Sequence, residues 1–360
     1  MPRANRARGA ALALGVTIIL AGCGTTSSHP SPAPTASPAL PSPFKIVTRW
    51  SAAQLGLLYP RALAIGPNGN IYVTDNHMRV TVIRPDGHVL VRWGSPGSGH
   101  CEFRADRNNP DPVDLHLRIA VAKGLVYVAD SGNARMEVCT PQGGFVRQFS
   151  SLGSLVPGNG QVSDVYRSRA WLVSPDYFAV DSDGSAYVSD FLGVIKFSAK
   201  GKPLWLDGSG TSSDPDLGGG TPGSFDSHGR LLITQDERNR IVYLDPKNGH
   251  KVDAFDLGTF LTGGPCEATV DAQGYIYVTA CGPQVVGPNS FVAGHGTVGF
   301  VGGPSCDTLV FDSSHTLVAK WTGAPHEALV TSPYFGPYGE VFALGWDGSL
   351  LKLKITLPPG

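Results

Sequence analysis

The stretch Asn68 to Asp75 reads NGNIYVTD, and the chain repeats it as KGLVYVAD at Lys123 to Asp130 and as DGSAYVSD at Asp183 to Asp190. Each copy is a turn, a glycine, then a strand that ends aromatic-Val-x-Asp. Looser copies follow: HGRLLITQ at His228 to Gln235, QGYIYVTA at Gln273 to Ala280, and YGEVFALG at Tyr338 to Gly345. A phrase that recurs along the whole folded region marks a repeat architecture. In such an architecture each unit buries its apolar face against the next.

Working outward from each copy gives four antiparallel strands. In the first unit, Arg61 to Ile65, Ile71 to Thr74, Arg79 to Ile83 and Val89 to Trp93 alternate with Pro67-Asn68-Gly69-Asn70 and Pro85-Asp86-Gly87. Apolar runs bounded by Asn-Gly and Asp-Gly are the hairpin signal. The second unit supplies Ile119 to Val121, Val126 to Val128, Arg135 to Cys139 and Phe145 to Phe149. The third runs from Tyr177 to Leu206 and the fourth from Pro222 to Phe255. The fifth starts at Glu267 and carries an insertion, Gly282 to Ser305. The sixth starts at Glu327 and ends after Leu350 to Ile355, one strand short.

The missing strand lies at the other end. Phe44 to Trp50 matches the last-strand pattern of Val89 to Trp93 and of Leu317 to Trp321, yet precedes the first unit. Pairing Phe44 to Trp50 with Leu350 to Ile355 would close the ring and remove its open edges. The expected fold is all-β, a six-bladed β-propeller of four-stranded antiparallel blades closed by that N-terminal strand.

The copies Ile71 to Asp75 through Arg79, and Val126 to Asp130 through Arg135, resemble the NHL-repeat family of six-bladed propellers. The resemblance covers residues 44 to 357. The third unit lacks the arginine, the fifth has Ala280 in place of the acid, and the sixth has Gly345. Propellers of this kind include sensor domains of bacterial receptor kinases, sugar-lactone hydrolases and an amidating lyase, so the resemblance implies the fold and leaves the activity open.

Composition agrees with short strands and turns: 16% of residues are charged, with 46 Gly and 29 Pro in 360 residues. The net charge of −1, with no basic run, argues against a nucleic-acid partner. Arg3, Arg6 and Arg8 precede an apolar run, Ala10 to Ala21, which is the layout of an export signal. The run ends Leu20-Ala21-Gly22-Cys23, which resembles the lipobox of bacterial lipoproteins. That resemblance implies removal of residues 1–22, acylation of Cys23, and attachment to the membrane of the bacterial cell envelope through lipid alone. Loss of the three arginines takes the net charge from −1 to −4. Residues 23–43, nearly all Ser, Thr, Pro and Ala, read as an extended linker reaching up to ~60 Å. Residues 44–360 are the propeller.

Outside the cytoplasm disulfides are permitted. Cys281 with Cys306 is the expected pair across the insertion, with Cys266 as rival, and Cys101 with Cys139 is a second. The recurring Asp75, Asp130 and Asp190 read as structural, because a residue present in every unit serves the unit. Each would accept N–H bonds from its own turn. Arg79, Arg135 and Arg240 read as packing between blades.

Function is expected where the units differ. At the start of the innermost strands stand Arg61, Arg118, Asp176, Tyr177, Glu267, His326 and Glu327, two signs of charge around one channel mouth. Convergent polar groups over a concavity make a ligand site. The reading is a binding module for a small polar ligand or an envelope protein, with no cofactor. The alternative is a channel-mouth enzyme of the lactonase or lyase type using a divalent cation. There Glu267 or Glu327 would supply the acid, but of the ten histidines only His116 and His326 fall near the channel. For protein contact, the insertion carries Val285, Val286, Phe291, Val292, Val298, Phe300 and Val301.

Overall fold

In this computed structural model the described residues are 40, 42–60, 62–104, 117–153, 171–172, 175, 177–190, 193–207, 220–235, 238–258, 264–282, 305–322, 329 and 331–357. All described residues belong to one compact unit, Leu40–Gly360. Lipidation at Cys23 and the signal segment therefore lie outside them.

Six four-stranded antiparallel sheets form a β-propeller. Blade 1 runs Ala62–Ile65, Ile71–Asp75, Arg79–Ile83, Val89–Trp93, and blade 2 runs Leu117–Ala122, Leu125–Asp130, Arg135–Cys139, Phe145–Phe149. The innermost strands of blades 3 to 6 are Tyr177–Val180, Thr221–Phe225, Pro265–Val270 and Tyr334–Phe335. Each inner strand neighbours that of the next blade. Between blades 5 and 6 the link is a hydrogen bond from Thr269 Oγ1 to the Pro333 carbonyl, 2.8 Å.

The packing explains why the repeated phrase is so apolar. The second strand of each blade is covered on both faces by neighbouring blades, so Ile71–Asp75 is buried at all five positions. The outer strand Val89–Trp93 instead alternates half-buried and exposed residues up to a buried Trp93, because one face meets solvent. The core is accordingly divided among the seams. One apolar cluster joins Tyr72, Val80 and Val82 of blade 1 to Ile119, Val126 and Val128 of blade 2, and five further clusters fill the other seams. Each fully buried Val, Leu or Ile side chain contributes about 1.5–3 kcal/mol.

The ring closes as the sequence implies. Phe44–Trp50 pairs antiparallel with Leu350–Ile355, from Phe44 opposite Ile355 to Trp50 opposite Leu350, with a register shift between Ile46 and Thr48. The seam aromatics show that this strand is a true outer strand of blade 6. Trp93 lies over the glycine of the next blade's last turn, Gly143 at φ 85°, where a Cβ would stand 2.6 Å from the indole. Trp50 covers Gly87 of blade 1 in the same way, as Phe149 covers Gly201 and Trp205 covers Gly249. Where blade 6 has no such turn, Trp321 packs edge-on against Phe44 itself, centroids 5.7 Å apart.

The sixth blade corrects one expectation. Its inner strand is Tyr334–Phe335, not a strand starting at Glu327. In blade 1 the inner strand runs directly into Gly66-Pro67, and in blade 6 it runs directly into Gly336-Pro337. Counting back from that turn, rather than forward from Trp321, locates it.

Candidate functional site

The repeated acids hold loops, and the way they do so separates them from the channel. Asp75 accepts from the backbone N–H of His77 at 3.0 Å and from Arg79 Nη2 at 3.3 Å, while Arg79 also donates to the Gly56 carbonyl. Asp130 accepts from Arg135 Nε at 2.9 Å, Asn133 Nδ2 at 2.7 Å and the Arg104 N–H at 2.9 Å. Arg135 then donates to the carbonyls of Ser98, Gly99 and Glu102 and pairs with Glu137 at 2.8 Å. These arginines therefore clamp the preceding connection onto their blade, a more specific role than packing between blades. Burial pushes the carboxyls of Asp130 and Glu137 up, against the pull of Arg135. The same connection carries the Cys101–Cys139 disulfide, as expected.

Blade 5 keeps this device in altered form. Ala280 takes the acid's place, and directly opposite it stands buried Asp307, paired with Lys320 at 2.9 Å and accepting from Thr322 Oγ1 at 2.7 Å. The acid has crossed from the second strand to the third. In blade 4, Gln235 substitutes for it and accepts from Arg240 Nε at 2.5 Å. Cys281 and Cys306 face each other in register at the end of this pairing, and their side chains lie outside the described residues.

The channel is built differently. Arg118, second in the inner strand of blade 2, lies over the ring of Tyr177, first in the inner strand of blade 3, at 4.2 Å from the centroid. Three blades further round, Glu267 stands on the inner strand of blade 5. The register shifts between Pro265 and Glu267, and the extra residue, Cys266, re-aims the side chain that follows it. Glu267 Oε2 accepts from the Ser332 N–H at 2.8 Å, and Oε1 accepts from the Tyr334 hydroxyl of blade 6. Buried Ser332 fixes the arrangement, donating to the Glu267 carbonyl at 3.0 Å.

In a ring of six, blade 2 faces blade 5 and blade 3 faces blade 6. The result is a cationic wall, Arg118 with Tyr177, facing an acidic wall, Glu267 with Tyr334. All four side chains are half-buried and so remain within reach of water. Burial opposes the charge of Arg118, but Tyr177, Glu267 and Tyr334 outweigh it and hold the guanidinium above its ordinary value. Burial and then the Glu267 charge push the Tyr334 phenol well up, so it stays a hydrogen-bond donor.

Of the residues expected at the mouth, Arg118 and Tyr177 are in contact, and Glu267 stands on the inner strand of blade 5 bonded to Ser332 and Tyr334. Arg61, Asp176, His326 and Glu327 lie outside the described residues, as does the insertion that follows Gly282. Tyr334 and Ser332 are the site residues that sequence reasoning missed. Among the described residues no three His, Cys, Asp or Glu side chains gather as a metal site.

No protein-family model matches this sequence, and no curated protein matches it. Solved structures match in fold. A streptogramin B lyase aligns at 13% identity and a TM-score of 0.50, over 87% of this chain and 98% of that one. A putative gluconolactonase aligns at 14% and 0.52 over 89% and 97%, and a gluconolactonase from Xanthomonas campestris at 17% and 0.52 over 89% and 99%. At such identities the likeness is one of architecture, the six-bladed propeller.

Proposed function

We propose that this chain is a lipid-anchored, extracytoplasmic propeller of the NHL-repeat kind that binds a small polar ligand in its channel, with Arg118 holding the ligand's anionic group. The observation that carries the reading is the opposition of the two channel walls. Glu267 accepts from the Tyr334 hydroxyl and Arg118 lies over the Tyr177 ring, and among the described residues no ion pair joins the acid to the arginine. A guanidinium presents several N–H donors in a plane and suits a carboxylate bidentately. The Leu20 to Cys23 motif and the linker support the anchor. The Cys101–Cys139 disulfide supports an oxidising compartment.

A second reading, a channel enzyme, draws on the likeness in fold to proteins described as a lyase and as gluconolactonases. It would require a divalent cation near Glu267. The described residues do not fit one. The facing charge is a guanidinium, which would repel a metal ion, and among the described residues no two further His, Cys, Asp or Glu side chains gather with Glu267.

The test has two arms. A thermal-shift screen of small carboxylates against the purified protein should give binders whose effect vanishes in Arg118→Met; binding unchanged by that substitution rejects the channel reading. Cys23→Ser should move the protein out of the membrane fraction, and retention there rejects the lipid anchor.

A further inference from the structure

The two walls specify more than an anion. We infer that the channel's ligand is a small zwitterion, its carboxylate on Arg118 and its protonated amine on the Glu267–Tyr334 wall. This rests on the binding reading above.

The first argument is charge balance. The described channel site holds one cation and one anion on opposite blades, Arg118 on blade 2 and Glu267 on blade 5. A simple carboxylate at Arg118 would leave a second negative charge facing Glu267 across a partly desolvated channel. A simple amine at Glu267 would face Arg118 in the same way. Like charges so placed repel far more strongly than in water. A ligand with both charges leaves neither wall uncompensated.

The second argument is hydrogen-bond capacity. Each carboxylate oxygen accepts about two bonds, and each oxygen of Glu267 has one protein donor, the Ser332 N–H or the Tyr334 hydroxyl. Each oxygen therefore keeps room for one ligand donor. The Tyr334 oxygen, already donating its proton, offers a further acceptor to the same group. An ammonium brings three donors and matches an acceptor-rich wall, whereas Arg118 brings donors alone. The walls are chemically opposite, and so are the two ends of the inferred ligand.

The third argument is rigidity. Glu267 is fixed by a bulge and by Ser332, itself fully buried and bonded to Thr279 Oγ1 at 3.1 Å. An acid held in place before binding presents its oxygens in a fixed position, which lowers the ordering cost of binding.

The experiment uses the full-length chain and calorimetry with ω-amino carboxylates from glycine to 6-aminohexanoate. Length-matched alkyl carboxylates, alkyl amines and hydroxy carboxylates complete the panel. One chain length of the amino carboxylates should bind roughly tenfold or more tighter than each of its matched analogues. Arg118→Met should reduce it to the level of the amine, and Glu267→Gln to that of the carboxylate. Tyr334→Phe, which keeps the acid's charge, should retain the preference. Carboxylates that bind through Arg118 with no gain from the amine, or hydroxy carboxylates that bind equally well, overturn the zwitterion and leave the binding reading standing. The absence of any Arg118-dependent binding across the panel overturns both. The wild-type ranking alone decides the matter should Glu267→Gln fail to fold.

Discussion

Blade 2 and the channel each hold an arginine with a carboxylate, and use them in opposite ways. In blade 2, Arg135 is closed onto Asp130 and Glu137, and its remaining donors go to the carbonyls of one loop and to Gln148 Oε1. In the channel, Arg118 and Glu267 stand on facing blades, each leaning on a tyrosine. Both sets are charged, the first buried and the second half-buried. The difference is whether the groups are consumed by the protein. A closed set of charges fixes structure, while a set on separate blades keeps binding capacity. Repetition in the sequence marks the first kind, since Asp75 and Arg79 repeat it in blade 1. Singularity marks the second.

The sharpest way to break this contrast is to remove each arginine in turn. Arg135→Met leaves Asp130 and Glu137 buried without their partner and should cost about 3–5 kcal/mol of stability by urea unfolding. Arg118→Met should cost about 1 kcal/mol or less, the scale of a partly exposed charge, while abolishing ligand binding. Equal losses would show that Arg118 is as structural as Arg135.

Next in size, replacing Cys101 and Cys139 together with alanine frees the connection that Arg135 clamps. With a sequence separation of 38 residues between them, the loss should be about 2–4 kcal/mol, while channel binding stays unchanged. A loss of channel affinity in that variant would couple the two regions that the contrast keeps separate.

The smallest effect concerns a singular residue placed in a repeated position. His315 occupies the turn where other blades have glycine, at φ 65°, stacked on Phe255 at 4.1 Å and within 3.0 Å of the Tyr243 hydroxyl. Burial lowers its basicity first, with Arg230 acting in the same sense and Asp253 and Asp312 opposing. A histidine whose basicity is depressed by folding stabilises fully above its unfolded pKa, about 6.5, and that contribution is lost as pH falls through the lower folded value. His315→Gly should therefore narrow the difference between urea midpoints at pH 7.5 and pH 5. An unchanged difference would assign the acid sensitivity elsewhere.

Much of this was legible before any coordinates. Asp-Gly and Asn-Gly turns between apolar runs gave the blades, and the likeness of Phe44 to Trp50 to Val89 to Trp93 gave ring closure. Arg118, Tyr177 and Glu267 were legible because the inner strands could be counted. Tyr334 was not, because the long connection after Trp321 obscured where the sixth inner strand begins. Ser332 had no signal at all, since it contributes a backbone N–H and a buried hydroxyl. The relocated acid Asp307 was hidden for another reason. Its equivalence to Asp75 and Asp130 exists only across a strand pair, where Asp307 faces Ala280.

The sequence by itself determined blade number, strand order and the closing strand. These follow from periodicity and turn chemistry, which act between near neighbours in the chain. Only the tertiary structure decided which charges meet. Asp130 and Arg135 are five residues apart and would find each other in any such hairpin, but Arg118 and Glu267 are separated by two whole blades. What sets them opposite each other is the geometry of a six-membered ring closed by Phe44 to Trp50.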